Sequence, residues 1–233
     1  MNILAIDTSE PRGSVCLLRG SETLACQPHD TTADYSEWLL PAVDHVLRES
    51  SVRMQDVDLL AVGTGPGSFT GLRVGLATVK AWAEVYGQRI VGVSRLEAIA
   101  RLQPTQRAYV APFYDAQRGQ LFGALYQCSS GRLARIHDEL VIAPGEFLNW
   151  VARYSHAEPV SWLSLDPELL TTLPTWSNRL QQGDTMTRCS PELATAIARL
   201  ASERAQAGSF SDPLELDANY VRRSDAEIFW KGR

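Results

Sequence analysis

The residues with the clearest chemical potential lie in the stretch 62–75, V-G-T-G-P-G-S-F-T-G-L-R-V-G, where five glycines and one proline separate a short apolar run from a long apolar helical segment. A strand, a glycine loop and a helix in that order turn unpaired backbone N–H groups toward one point, the usual geometry for holding an anion. Gly65, Gly67 and Ser68 are the candidates for such a contact. The loop lacks the Lys-Ser or Lys-Thr of a P-loop, and Gly63-Thr64-Gly65 is followed by Ser68 where a dinucleotide fingerprint needs its last glycine. Two readings stand: a phosphate or partner contact, or a tight strand-to-helix turn needing positive φ, with Gly71 and Gly75 spaced for close packing on one helix face.

Other chemistries find less support. Cys16, Cys26, Cys128 and Cys189 are widely spaced and form no C-x-x-C, so buried reduced thiols are expected and neither a zinc knuckle nor a redox pair. His29, His45, His137 and His156 give no H-x-x-x-H or H-E-x-x-H pair, and no metal site is expected. A formal net charge of −5 argues against a large phosphate-binding surface, so any nucleic-acid contact should be shared with a partner. The terminal cluster Arg222, Arg223, Lys231 and Arg233 reads as a solvated tail. No run approaches the ~18 apolar residues of a membrane span, and no basic leader precedes Ile3, so a soluble, cytoplasmic chain without membrane association is expected.

The elements that must position the loop follow from periodicity. Residues 3–6 read as a buried strand ending in Asp7-Thr8-Ser9, with partners at 14–18 and 23–26 across turns at Pro11-Arg12-Gly13 and Arg19-Gly20-Ser21. A helix over 33–49 carries Leu39, Val43, Val46 and Leu47 on one face, with Trp38, Leu40 and Ala42 over the other side and Pro41 bending it or ending its first turns. The strand at 59–62 leads through the loop into a helix opening near Ser68 with Leu72, Leu76, Val79 and Ala83 as its stripe and Trp82 and Val85 off it. Both helices are apolar over more than one face, so each has a face left for a second surface. A strand at 89–93 and a capping box, Ser94-Arg95-Leu96-Glu97, complete a meander followed by alternating helices and strands, the layout of a ribonuclease H-like lobe.

The second half repeats the opening: a strand at 108–113 runs into Tyr114-Asp115-Ala116-Gln117-Arg118-Gly119, then strands at 121–127 and 133–142 across a turn at Ser129-Ser130-Gly131. A helix at 146–154, a strand at 160–165 and a loop at 166–178 follow, and Ser190-Pro191-Glu192 reads as the N-cap of a helix running to Gly208 with Leu193, Ile197, Leu200 and Ala201 as its stripe. The expected organisation is a first lobe at 1–104, a smaller second lobe at 105–212, and a segment at 213–233 crossing back to the first lobe.

Ile3-Leu4-Ala5-Ile6-Asp7-Thr8-Ser9, Tyr35-Ser36-Glu37-Trp38-Leu39-Leu40-Pro41, the loop at 63–75, the Tyr114 to Gly119 run, and Asn219-Tyr220-Val221-Arg222-Arg223-Ser224-Asp225-Ala226-Glu227 together resemble the bacterial TsaB (YeaZ) family, of the same superfamily as the catalytic TsaD and Kae proteins. The resemblance implies an α/β bilobed ASKHA fold (actin-like ATPase, ribonuclease H-like) with a reduced second lobe. It also implies a non-catalytic role in making N6-threonylcarbamoyladenosine beside the tRNA anticodon, with a TsaD-type transferase and a TsaE-type ATPase as partners. Transfer RNA would be met through the complex, and self-pairing would use the same first-lobe helices that meet the catalytic subunit. Anchors for that contact, of roughly 1,600 Å² in total, are expected at Trp38, Leu40, Phe69, Arg73, Leu76 and Trp82, since aromatics and arginine dominate such patches.

Some family features are missing. Ala33, Asp34 and Tyr35 stand where catalytic paralogues carry an H-x-x-x-H metal pair, Tyr35 replaces a histidine common in the family, and the chain has no Gly-Gly with which kinase-type members grip adenosine. No cofactor is therefore expected on the chain alone, and ATP has a place only at an interface with partners. Asp7 and Asp115 fall where the superfamily keeps its two phosphate-loop aspartates; here each reads first as a turn aspartate, with Asp7, Thr8 and Ser9 retained as weak anion candidates. The alternatives are a nucleotide-dependent kinase or ATPase acting through Asp7, the glycine loop and Asp115, and a metallopeptidase, against which the missing histidine pair counts.

Overall fold

The computed structural model describes residues 1–29, 33–103, 106–129 and 132–222, in two units: Met1–Ala98 with the chain from Pro191 onward, and Ile99–Ser190. In the first unit β1 (Asn2–Asp7), β2 (Ser14–Arg19) and β3 (Glu22–Pro28) form the antiparallel meander, and α1 (Tyr35–Glu49) follows. β4 (Leu59–Gly63) then pairs parallel with β1, and α2 (Phe69–Tyr86) returns the chain to β5 (Arg89–Val93), parallel to β4, before the short α3 (Arg95–Ala100). The sheet order is β3-β2-β1-β4-β5. β1 and β4 are buried on both faces, which is why they read as continuous apolar runs rather than alternating ones.

The second unit rebuilds the same plan. β6 (Tyr109–Asp115) is flanked by antiparallel β7 (Leu121–Gly123), and a side hairpin of β8 (Tyr126–Ser129) and β9 (Arg132–Arg135) branches from it. β10 (Leu140–Ile142), α4 (Pro144–Tyr154) and β11 (Val160–Ser164) follow, then two short helices, α5 (Glu168–Thr171) and α6 (Trp176–Gln181), and β12 (Thr185–Arg188). The main path, β10-β7-β6-β11-β12, repeats the first sheet with β6 in the place of β1. The stretch expected as a loop at 166–178 thus contains helical turns, because Leu170 and Trp176 are drawn into the core, Trp176 edge-on to Trp162 at 5.7 Å.

The last helix, α7 (Ala194–Gln206), lies not in the second unit but on the first sheet, against β1, β2, β4 and β5, which corrects the expected 105–212 lobe. Ile197 and Leu200 are buried there, each a contribution of about 1.5–3 kcal/mol. The helix starts after Leu193 rather than at Pro191, because Ser14 Oγ accepts a hydrogen bond from the Ala194 amide at 3.1 Å; a tertiary contact replaces the local cap. After α7 the chain runs along the free edge of β5, Ser211 bridging Ile90, and the Asn219 amide donates to the Thr64 carbonyl at 2.7 Å. The expected terminal pattern beyond Arg222, including Arg223, Lys231 and Arg233, and the Ser130-Gly131 turn lie outside the described residues.

On the opposite face of the first sheet, α1 and α2 cover a core of Leu4, Ile6, Val15, Leu17, Leu60 and Val62. Pro41 does not end α1, which runs on to Glu49; Pro41 and Glu37, whose carbonyl it leaves without its helical donor, both lie on the exposed side. The four-thiol expectation fails at one place. Cys16 and Cys26 are opposed in the β2–β3 register and joined as a disulfide, a pairing that linear spacing does not reveal. Cys128 and Cys189 are free, and burial pushes the Cys189 thiol up to about 11. Native protein treated with iodoacetamide at neutral pH is therefore expected to be labelled at half-buried Cys128 well before Cys189, which peptide mass spectrometry would resolve; equal labelling would contradict the burial of Cys189.

Candidate functional site

The glycine loop contacts the chain's own first turn. A Cβ on Gly67 would stand 1.9 Å from the Ser9 carbonyl oxygen, one on Gly71 2.1 Å from the Thr8 carbonyl oxygen, and one on Gly75 2.4 Å from Thr8 Oγ1. Thr8 Oγ1 donates to the Gly71 carbonyl at 2.7 Å, and the Ser68 amide donates to the Ser9 carbonyl at 2.6 Å. Ser68 is the N-cap of α2, its Oγ accepting from the Gly71 amide, and the Thr64 amide donates to Val93 O. The Thr64, Ser68 and Gly71 amides are thus satisfied from within, and Gly67, Gly71 and Gly75 make the close approaches that the tight-turn reading expects.

The same turn closes over Asp7. Asp7, Thr8 and Ser9 are fully buried. One Asp7 oxygen accepts from the Ser9 amide at 3.1 Å and from the Ser9 hydroxyl; the other accepts from the Arg95 guanidinium. Arg95, itself fully buried, also donates to Ser9 Oγ at 3.0 Å and to Glu10 Oε2 at 2.8 Å, and Glu10 is paired in turn with Arg12. Two carboxylates and two guanidiniums neutralise one another with the hydrogen bonds that make a buried ion pair tolerable. The anion candidates Asp7, Thr8, Ser9, Gly65, Gly67 and Ser68 lie together in a packed joint between β1, β4 and α3.

Tyr35 seals the rim. Its hydroxyl donates to the Glu10 carbonyl and accepts from the Gly13 amide at 2.9 Å, and its ring stacks on His29 at 4.2 Å. Burial, with the nearby Asp7 charge next, pushes the phenol well above the ordinary tyrosine range. In the second unit Asp115 is a turn aspartate: its carboxylate accepts from the Gln117 amide at 2.7 Å and from Gln117 Nε2 at 2.9 Å, while Gln117, Arg118 and Gly119 all take positive φ.

The expected partner anchors divide into three groups. Trp38 (9% exposed) and Leu76 (5%) belong to the core, which corrects their assignment to a contact surface. In α1 the buried residues Trp38, Leu39, Ala42, Val43 and Val46 form one stripe at i, i+1, i+4, i+5 and i+8, so only Leu40 of the supposed second face points outward. Phe69 and Arg73 are held by the C-terminal segment: the Phe69 and Tyr220 rings lie 4.9 Å apart, Arg73 sits 3.7 Å over Phe69, and Arg73 Nε donates to Tyr220 Oη at 3.3 Å. At about 100° per residue, Trp82 and Val85 fall on the other flank of the α2 stripe. Besides Phe69 (38% exposed), Leu40 (56%), Val85 (73%) and Tyr86 (45%), with half-buried Trp82, are large apolar groups that these two helices leave toward solvent.

Sequence reasoning missed Arg95, reading it only as part of a capping box. Ser94 Oγ does accept from the Glu97 amide at 3.2 Å, while the Glu97 carboxylate accepts from Arg204 at 2.6 Å. The signal was an arginine in the mostly apolar run Val91 to Ala100, broken otherwise only by Ser94 and Glu97, where burial demands a paired charge.

Two duplicated ribonuclease H-like sheets, the first ending its central strand in a buried aspartate, define an ASKHA-class protein. The same fold is seen in ROK hexokinase from Thermus thermophilus, with TM-score 0.52 and 14% identity over 88% of this chain and 100% of that one. Within the class, the TsaD family profile, described as tRNA N6-adenosine threonylcarbamoyltransferase, matches residues 25–163. The chain is also 31% identical over 169 residues to the tRNA threonylcarbamoyladenosine biosynthesis protein TsaB of Bacillus subtilis, covering 72% of this chain and 73% of that protein. It belongs to the TsaB family. A crystal structure from Pseudomonas aeruginosa, described as similar to the peptidase YeaZ, shares the fold at TM-score 0.74 and 24% identity over 95% of this chain and 99% of that one.

Proposed function

We propose that this chain is a non-catalytic subunit in the formation of N6-threonylcarbamoyladenosine on the adenosine beside the tRNA anticodon, acting in the cytoplasm with a TsaD-type transferase and a TsaE-type ATPase. The observation that carries the reading is the outward apolar set Leu40, Trp82, Val85 and Tyr86 on the two helices of the first sheet, which suits pairing with a paralogue bearing equivalent helices. In isolation the same face would pair two copies of the chain, and tRNA and ATP would be met through the assembled complex. The engagement of fully buried Asp7 with Arg95 speaks against the kinase or ATPase alternative, since that carboxylate is not presented to a substrate. No described helix is long and apolar enough to cross a membrane.

Reconstitution tests the proposal. Threonylcarbamoyl transfer to tRNA by the TsaD-type and TsaE-type proteins is expected to need this chain at stoichiometric amounts, while the chain alone shows no turnover. Full activity without it would overturn the scaffold role.

A further inference from the structure

The superfamily resemblance implies that in active members the carboxylate at the end of the first strand orients a metal-bound phosphate. Here the residues do not fit that group. Both Asp7 oxygens are engaged, and the room beside Oδ1 is narrow: a Cβ added to Gly63 would stand 3.0 Å from it. A divalent ion brought to Asp7 would meet the Arg95 cation in the same shell, where burial of both side chains leaves the repulsion poorly screened. We infer that Arg95 is a built-in cation at this position, standing where a metal ion would stand and closing the first unit to metal-bound nucleotides.

The geometry makes this more than a side chain swung inward. The Arg95 amide donates to the Gly65 carbonyl at 2.8 Å, so the backbone that bears the guanidinium is clamped by the glycine loop itself. The guanidinium then ties Asp7, Ser9 and Glu10 on the turn after β1. Arginine suits the task where lysine would not, because its planar fork reaches both carboxylates at once and keeps its charge when buried. The loop and Arg95 form one device: the glycines bring the turn close, and the cation neutralises the carboxylate that closeness buries. This inference concerns the isolated chain, so its failure would leave the scaffold proposal standing, and the reverse also holds.

The test uses the full chain and two variants. Titration of the wild-type protein with MgATP in a calorimeter is expected to give no saturable heat up to millimolar ligand, and MgCl2 alone is expected to leave the melting temperature unmoved. Arg95→Ala, which leaves the Asp7 carboxylate buried without its cation, is expected to melt about 10 °C lower. Millimolar guanidinium or Mg2+ should restore several degrees of that loss by refilling the cation position. Arg95→Leu, of similar volume but without charge, should show no such gain. Saturable MgATP binding by the wild-type chain that Asp7→Asn abolishes would overturn the inference, as would an Arg95→Ala protein whose response to small cations matches that of Arg95→Leu. Should Arg95→Ala yield no folded protein, the wild-type titration decides alone.

Discussion

Gly71→Ala is expected to destabilise this protein strongly, although alanine is the better helix former. The added methyl would lie 2.1 Å from the Thr8 carbonyl oxygen and 3.4 Å from the Tyr35 ring, and the first of these is backbone that cannot rotate away. Thr8 is itself fixed, its hydroxyl donating to the Gly71 carbonyl and its neighbour Ser9 accepting from the Ser68 amide. Relief requires moving α2 off the β1 turn, which uncovers Asp7 and Arg95. Against a propensity gain of about 1 kcal/mol, we expect a net loss of at least ~3 kcal/mol, or about 10 °C in melting temperature. Gly67→Ala, whose methyl would meet the Ser9 carbonyl at 1.9 Å, should behave alike. Gly145→Ala is the control: nothing lies within 4 Å of its Cβ position, so it should be neutral or slightly stabilising. Thermal denaturation of the three variants decides, and a Gly71→Ala protein as stable as the control would mean that the close approach does not constrain the fold.

The loop shows how far sequence reasoning reaches in this protein. Its strand, its Ser68 cap and the two-faced character of its helix follow from local pattern, and the structure has each of them. What the loop is close to does not follow, because the contact joins Gly71 to Thr8, sixty-three residues apart, and no local rule encodes that approach. The same limit explains α7: its apolar stripe is legible, but the choice between two similar sheets is made by the Ser14 hydroxyl and the surface of β1, β2, β4 and β5. Arg95 lies at the extreme, since its partner Asp7 is eighty-eight residues away and each looked satisfied by a local reading as cap or turn. Trp38 and Leu76 failed for another reason. A wide apolar face was divided between core and surface without knowing where the sheet lies, and the sheet takes the wider share.

That division sets the second large effect. Charging the outward residues, Leu40→Glu together with Val85→Glu, is expected to leave the fold intact, since surface substitutions of this kind stay within about 0.5 kcal/mol. The side chains are 56% and 73% exposed, so the new carboxylates are solvated in the free chain. On a partner's helices they would be driven into an apolar contact without a counter-charge, and truncation at such anchors alone costs 2 kcal/mol or more, so affinity should fall by roughly 100-fold or more. Self-association, followed by sedimentation velocity, should weaken in parallel if both contacts use this face, and threonylcarbamoyl transfer in the reconstituted system should be lost at limiting protein. Leu76→Glu would give the same loss of activity for an uninformative reason, because a carboxylate at a 5% exposed core position unfolds the first unit. The discriminating observation is therefore the pairing of an unchanged melting curve with lost assembly. A Leu40→Glu, Val85→Glu protein that binds its paralogue as tightly as the wild type would remove these two helices from the interface and send the search to the Phe69, Arg73 and Tyr220 cluster on the other flank of α2.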